Sequence, residues 1–407
     1  MTYINKWIDL SILGLIMVAL SGLVLRCKIV FALPFINFNH LLEAHSNFNF
    51  GGWVTLVLMV LMVNEILPEP FNKRPAYQWI LGGIAISAWS MLIAFLLGGY
   101  STLSTILSTF FIFLTYIFGW IFIRDILKAK LGSPVLLLAI SSIVCLILSS
   151  SGPFIITYFF LIRSFNPILQ RDAIFTYLHF QYNGFFSLAI LALLFNQIGQ
   201  NITAKGKKNI YRFSVVLCTS IIPSLFLSYL WQNPNQLFRI IAIVGSFLVL
   251  LSFFLFILSA RSLQTNYNNE SPVIRFLVFL SMASFMLKML LQSLTIFPEI
   301  GNAIFGNRPI IMGFLHLVFL GFVSLFILAL FVKKGFIDKT RKFTKFALIV
   351  FAVAVIINET LLITQGLVTM VIPGSIIFQW LLLGAGICLF AGTILIAIAR
   401  LETRRLL

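Results

Sequence analysis

Charged residues are scarce in this chain of 407 residues: they make up 10% of the sequence, against roughly 25% in a soluble protein. So little charge could not cover a folded surface against water, which excludes a soluble domain. The four cysteines stand apart without a CxxC pair, which argues against a disulfide or cysteine-rich metal framework. Walker, GxSxG, HExxH and dinucleotide-binding motifs are also absent from the sequence.

Apolar residues, in contrast, make up 60% of the chain, and the mean hydropathy is +1.07. They form runs of about 20 residues, the length of one membrane crossing. No long polar linker separates the runs, so we predict a single polytopic membrane domain over residues 1–407, all-α, with its first run retained rather than cleaved. The twelve runs begin near Trp7, Leu41, Tyr77, Thr102, Pro134, Ala173, Tyr211, Gln236, Pro272, Pro309, Lys345 and Gly374.

The basic residues predict the orientation in the bilayer. The net charge of +17 sits in short loops between apolar runs, which indicates a membrane protein rather than a nucleic-acid partner. With the N-terminus inside, 21 of the 28 Lys and Arg residues fall in cytoplasmic loops and six fall outside. Such an asymmetry follows the positive-inside rule. We therefore expect a multi-pass protein of the bacterial cytoplasmic membrane with both termini in the cytoplasm.

Three of the four histidines lie at one predicted depth. His45, His179 and His316 fall in the second, sixth and tenth apolar runs, each within about two turns of the outer face. Imidazole in hydrocarbon is costly unless it is paired or bound to a metal, so three at one depth favour metal or haem ligation. The alternative is three polar groups hydrogen-bonded across helices. Gly52, at i+7 from His45, and Gly313, at i−3 from His316, are predicted to leave room for a flat macrocycle.

Short motifs around these histidines resemble a known family. They are His45 to Gly52 (HSNFNFGG), Tyr177 to His179 with Gly-Phe-Phe following, and Phe314 to His316 with Leu-Gly-Phe following. With twelve helices, they resemble the catalytic subunit of haem–copper oxidases and nitric oxide reductases, closest to the C-type, haem b-containing branch. The resemblance implies a bundle like cytochrome c oxidase subunit I. It also implies one low-spin haem b held axially by His45 and His316, with His179 as a vestigial copper ligand.

Departures from the family pattern limit the implied chemistry. Phe314 stands where the family has its high-spin haem ligand, and the seventh helix, around Pro223, lacks the family's pair of copper-binding histidines. The family's arginine pair for the haem propionates is missing from residues 371–375, so Arg26, Lys28 or Arg171 would have to replace it. The resemblance therefore implies electron transfer or sensing without copper, and a chain that is not a terminal oxidase by itself.

Other ionisable residues fall inside or near the apolar runs. Lys288, Glu359 and Glu65 are candidates for a proton path, because charged groups in a membrane segment are costly unless they serve a function. In the simpler interpretation Lys288 pairs with Glu359 or extends to the interface, and Glu65 reaches the inner interface.

Three hypotheses follow. The first is the haem b protein just described, with the lipid bilayer, other respiratory-chain membrane subunits, or a cytochrome c or quinol donor as partners. The second is a haem-free scaffold or assembly subunit of a membrane complex. The third is a secondary transporter with a buried polar site around Lys288 and Glu359, although no internal repeat is visible in the sequence.

Overall fold

Twelve long helices build the protein. The structure is a computed structural model that describes residues 3–164, 166–197, 203–267, 270–370 and 376–405, and it contains no strand within them. In chain order the helices are α1 Tyr3–Val30, α2 Phe38–Ile66, α3 Pro75–Gly98, α4 Thr102–Lys128, α5 Ser133–Leu161, α6 Pro167–Gln197, α7 Ala204–Gln232, α8 Gln236–Ala260, α9 Pro272–Leu294, α10 Arg308–Lys333, α11 Lys342–Thr369 and α12 Ile376–Arg404. Each is long and apolar enough to cross a bilayer, which confirms the predicted number of spans.

Local signals that hydropathy does not measure determine where the helices begin. Asn37, Ser101, Asn166, Thr203 and Asn307 cap helix N-termini by accepting hydrogen bonds from backbone N–H groups of the first turn. The cap at Thr203 starts α7 before its apolar run at Tyr211, because the first turns of α7 are basic and polar. The predicted start of the last span, Gly374, lies outside the described residues.

The two ends of the chain meet at the same end of the bundle. Asp9 of α1 forms ion pairs with Arg400, at 2.9 Å, and with Arg404, both on α12. Arg400 also donates to the backbone carbonyl of Phe336, between α10 and α11, at 2.5 Å. An even number of spans requires this arrangement. Which side of the membrane holds the two ends stays a prediction from the loop charges.

The helices α2, α6 and α10 form the centre of the bundle and carry the three histidines. Within their most apolar windows 83%, 89% and 83% of residues are buried, more than in any other described span. Each changes from α- to π-helix shortly after its histidine, over Asn49–Thr55, Phe180–Phe186 and Leu317–Ser324. Short π-helical segments are rare in proteins and are frequent at functional sites.

Three phenylalanines, one from each π-helical segment, meet on the bundle axis. The ring of Phe50 lies 4.8 Å from that of Phe319 and 5.8 Å from that of Phe186, measured between centroids. The rings of Phe186 and Phe319 are 5.7 Å apart. These separations are typical of favourable aromatic pairs. The Phe50–Phe186–Phe319 triad therefore holds the three histidine-bearing helices against one another.

Candidate functional site

His45 is oriented by α1. Its Nδ1 lies 2.9 Å from the Oγ of Ser21. The Ser21 hydroxyl donates its proton to the carbonyls of Met17, at 2.9 Å, and Val18, at 3.0 Å. One arrangement satisfies all three contacts: the hydroxyl proton lies on these carbonyls, and the Ser21 oxygen accepts from Nδ1–H of His45. In the neutral ring this leaves Nε2 unprotonated, with a lone pair available to a ligand.

His316 is oriented by its own helix. Its Nδ1 lies 2.7 Å from the carbonyl oxygen of Met312, one turn earlier in α10. A carbonyl only accepts, so Nδ1 donates and Nε2 again keeps its lone pair in the neutral ring. The side-chain contact of His45 and the hydrogen bond of His316 are both at Nδ1, and both side chains are only half-buried. Both histidines thus have one fixed nitrogen and one unused nitrogen.

Arg26 lies close to both of these histidines. His45 and His316 are near enough for their charges to interact, and the guanidinium of Arg26 interacts electrostatically with each. Arg26 is near the end of α1, four residues from Gly22, which itself lies against the imidazole of His45. A Cβ added at Gly22 would stand 3.1 Å from Cε1 of that ring. The two predicted axial ligands and one predicted propionate partner therefore lie within range of one another's charges.

The other two predicted propionate partners are engaged elsewhere. Lys28 donates from Nζ to the backbone carbonyl of Leu33 at 2.7 Å. Arg171 donates to the backbone carbonyl of Phe305 at 2.8 Å, and its guanidinium lies 4.2 Å from the ring centroid of Trp231. The stretch 371–375, where the family's arginine pair is missing, lies outside the described residues. Among the three candidates, Arg26 is the one beside the histidines.

The two predicted haem-packing glycines contact protein. A Cβ at Gly52 would overlap the ring of Phe48, and the carbonyl oxygen of Gly52 faces Gly14 of α1. A Cβ at Gly313 would lie 3.3 Å from Cβ of Leu362 on α11. Both glycines allow close packing, of Phe48 and α1 at Gly52 and of α10 against α11 at Gly313. Their role in packing a macrocycle stays a prediction.

His179 differs from the other two histidines because both of its ring nitrogens are satisfied. Its Nε2 donates to the carbonyl of Ile221 on α7 at 2.8 Å, and its Nδ1 accepts from the side-chain amide of Asn183 at 3.0 Å. The side chain is completely buried. In this arrangement His179 joins α6 to α7, and it keeps no lone pair for a metal ion.

Aromatic side chains occupy the neighbourhood of His179. The ring of Tyr182 lies 5.6 Å from that of Phe314, the residue at the family's high-spin haem position, and 6.5 Å from the imidazole of His179. Across the described part of the chain, no three His, Cys, Asp or Glu side chains lie close enough together to hold a metal ion.

The three proton-path candidates are separate from one another. Lys288 is buried and donates to Oγ of Ser187 on α6 at 3.4 Å, while Glu359 accepts from the amide of its neighbour Asn358 at 3.1 Å. The interpretation that Lys288 pairs with Glu359 is wrong, because the ammonium is directed at α6 instead. Glu65 forms an ion pair with Lys334, which follows the last residue of α10. A proton path through these groups stays a prediction.

Comparisons with known proteins identify the fold and nothing narrower. No protein-family model and no curated protein matches the sequence. A solved structure similar to this one is a haem–copper terminal oxidase dimer determined by cryo-EM, with a TM-score of 0.69 and 13% sequence identity. The match covers 99% of this chain and 84% of that one. The fold is that of a haem–copper terminal oxidase. The predicted subunit I-like bundle is thereby confirmed, whereas the C-type branch stays a prediction.

Two residues beside His45, Ser21 and Gly22, are not predicted from the sequence. They are adjacent in α1, and together they supply the hydrogen bond and the space that the His45 imidazole uses. The available signal was a Ser-Gly pair inside an otherwise apolar run. Small residues in transmembrane helices are typical of close contacts between helices. Nothing in the sequence, however, linked this pair to a histidine on the next helix.

Proposed function

We propose that the chain holds one haem b between His45 and His316 and uses it to transfer or sense electrons. The observation that supports this most is the shared state of the two imidazoles: Nδ1 is fixed and Nε2 is unused in each. Metal-ligating histidines commonly donate their other ring N–H to a carbonyl or a similar acceptor, which sets the tautomer and orients the ring. Both histidines have such a partner at Nδ1.

Two imidazole ligands limit the chemistry that such a cofactor can perform. A haem iron with two axial histidines has no open position, which suits electron transfer rather than binding of oxygen or nitric oxide. His45 and His316 supply the ligands, and the buried aromatic interior around α2 and α10 excludes water. We infer that the chain carries electrons without reducing a gas by itself.

Arg26 is the residue we assign to the propionates. Its guanidinium presents five N–H donors and can pair with carboxylates in a two-pronged geometry. A positive charge beside the haem favours the reduced iron. Arg26→Gln should therefore lower the midpoint potential by roughly 60 mV, which is a tenfold change in the equilibrium constant of a one-electron couple. The matched control is Lys28→Gln, which removes a charge from the same end of α1 and should leave the potential nearly unchanged.

The arrangement around His179 supports the absence of copper. A copper ligand needs a nitrogen lone pair, and both ring nitrogens of His179 are engaged in hydrogen bonds. Phe314 offers no donor atom in place of a second histidine. We infer that this region is a packed core that joins α6, α7 and α10 rather than a second metal centre.

The proposal is tested by the cofactor content of the purified protein from haem-replete cells. We expect one haem b per chain, a low-spin spectrum, and reversible reduction by dithionite. Well-folded protein without a Soret band would instead support the second hypothesis, a haem-free scaffold or assembly subunit. The close packing of Gly52 against Phe48 and of Gly313 against Leu362 is the observation that favours this alternative.

The setting in the cell follows from the same proposal. We place the chain in the bacterial cytoplasmic membrane with both termini in the cytoplasm, because of the loop charges. Its partners would be other membrane subunits of a respiratory chain and a cytochrome c or quinol donor. The transporter hypothesis gains nothing from Lys288 and Glu359, since they contact Ser187 and Asn358 rather than a shared polar site.

A further inference from the structure

A cleft opens at the end of the bundle opposite the chain termini. It has a volume of about 510 Å³ and lies between the end of α7, the start of α8, the end of α9 and the short helix Pro298–Phe305. This volume is in the range of sites for small ligands, roughly 300–1,000 Å³. It is remote in sequence from His45 and its partners on α1 and α2.

The polar lining of the cleft favours an anion. Arg239 is exposed in the lining, and its guanidinium donates to Oδ1 of Asn233. One bond of this kind leaves most of the five N–H donors of the guanidinium for a ligand. Asn302, on the short helix, adds an exposed side-chain amide. The described lining contains no Asp or Glu to neutralise Arg239.

Three charged residues lie behind or beside the lining. The carboxylate of Asp172 is held by the end of α7, because it accepts from Nε1 of Trp231 at 2.9 Å and from Nε2 of Gln232 at 2.8 Å. The guanidinium of Arg171 lies on the ring of Trp231, which lines the cleft. Arg171 and Asp172 offset each other, and Glu299 on the short helix lies outside the lining, so Arg239 supplies the one charge of the lining itself.

An apolar surface continues from the cleft along α8. Ile243, in the lining, is followed at i+4 by Phe247 and at i+11 by Phe254, so the three side chains share one side of the helix. They are 56%, 64% and 61% exposed. In a spanning helix this side faces lipid tails. A ligand with an anionic head in the cleft and apolar chains along α8 would contact both surfaces at once.

We propose that this cleft binds an anionic phospholipid of the bilayer. Arg239 pairs with the phosphate, the amide of Asn302 donates to its oxygens, and the acyl chains lie along Ile243 and Phe247. Arginine suits this task because its planar fork matches two phosphate oxygens. A zwitterionic lipid binds more weakly, because its ammonium group meets the positive charge of Arg239.

Native mass spectrometry of the full-length protein in detergent tests the assignment. Phosphatidylglycerol is titrated in parallel with phosphatidylcholine, and we expect tighter binding of the former. Arg239→Gln should lower the affinity for phosphatidylglycerol by at least about tenfold, the effect of losing one charge-assisted hydrogen bond. Arg308→Gln is the matched control: it removes an exposed arginine at the same end of the bundle but outside the cleft lining. It should change the affinity little.

A second variant separates the cleft from diffuse surface charge. Ile243→Trp fills the cleft without changing any charge. The position is exposed enough to leave the fold intact, and the substitution should also lower the affinity for the lipid. Equal losses in Arg239→Gln and Arg308→Gln, or no loss in Ile243→Trp, would overturn the proposal. Displacement of the lipid by inorganic phosphate would mean that a soluble phosphate occupies the cleft, and the lipid assignment would then be wrong.

Discussion

The Oγ of Ser21 and the Nδ1 of His45 lie 2.9 Å apart, joining α1 to α2 through a hydrogen bond. The hydroxyl proton of Ser21 already points to backbone carbonyls of its own helix. Ser21 therefore helps to fix which nitrogen of His45 carries the proton, and it holds the ring against α1 at Gly22. A serine on a neighbouring helix thus prepares the histidine as a ligand.

Removal of this hydrogen bond should weaken haem binding without abolishing it. We expect Ser21→Ala to weaken haem binding by about 10- to 100-fold, the usual cost of losing a partner of a metal-bound histidine. Ser11→Ala is the control: it removes a buried serine of the same helix whose Oγ donates to a backbone carbonyl only. Haem transfer to apomyoglobin measures the effect. Equal rates of haem loss in the two variants would contradict the role of Ser21.

Gly22 should be intolerant of a side chain because it lies against the imidazole of His45. In Gly22→Leu, the new side chain would displace the ring, and we expect the protein to lose its haem while it remains folded. Gly82→Leu introduces the same side chain on α3 at a position with nothing within 4 Å of the added Cβ. The Soret absorbance per folded chain distinguishes the two. Full haem content in Gly22→Leu would show that the ring position is unimportant.

The spans could be predicted from the sequence because membrane burial depends on length and hydropathy, which are local properties. The helix starts were less exact where a cap such as Thr203 precedes a polar first turn. The change to π-helix after each histidine was not predicted. It depends on how α2, α6 and α10 pack at the bundle axis, where Phe50, Phe186 and Phe319 meet.

The site could be predicted only in part. His45 and His316 were identified from their depth and motif, and their free Nε2 atoms agree with a ligand role. The partners of a side chain across helices are invisible to sequence patterns, which is why Ser21 was missed. For the same reason the pairing of Lys288 with Glu359 was wrong: depth placed both inside the membrane, but rotation of the helices directed Lys288 at Ser187.

The purified protein should not reduce gases. Phe314 lacks a donor atom, and both ring nitrogens of His179 are engaged, so neither residue offers a ligand to a second metal. We expect no consumption of oxygen or nitric oxide with an artificial electron donor, and no stoichiometric copper by elemental analysis. About one copper per chain that disappears in His179→Ala would show that the ring is released from Ile221 and Asn183 to bind metal.

The orientation can be checked with reporter fusions in loops of opposite predicted sides. Fusions at Lys207 and Lys339 should report the cytoplasm, and a fusion at Arg171 should report the outer side, because basic loops are retained inside. The Asp9–Arg400 ion pair joins α1 to α12 near the chain ends, so reporters at the two termini should both report the cytoplasm. Reversed reports at two of the three positions would contradict the predicted twelve-helix topology.

The optical spectrum of three histidine variants tests the haem assignment most directly. The wild-type protein should show one low-spin haem b whose reduced spectrum does not change with carbon monoxide, because both axial positions are filled. His45→Ala and His316→Ala should each lose the haem or gain a carbon monoxide complex. His179→Ala, the matched control on α6, should keep the wild-type spectrum. A haem spectrum that survives both His45→Ala and His316→Ala and changes in His179→Ala would contradict the assignment.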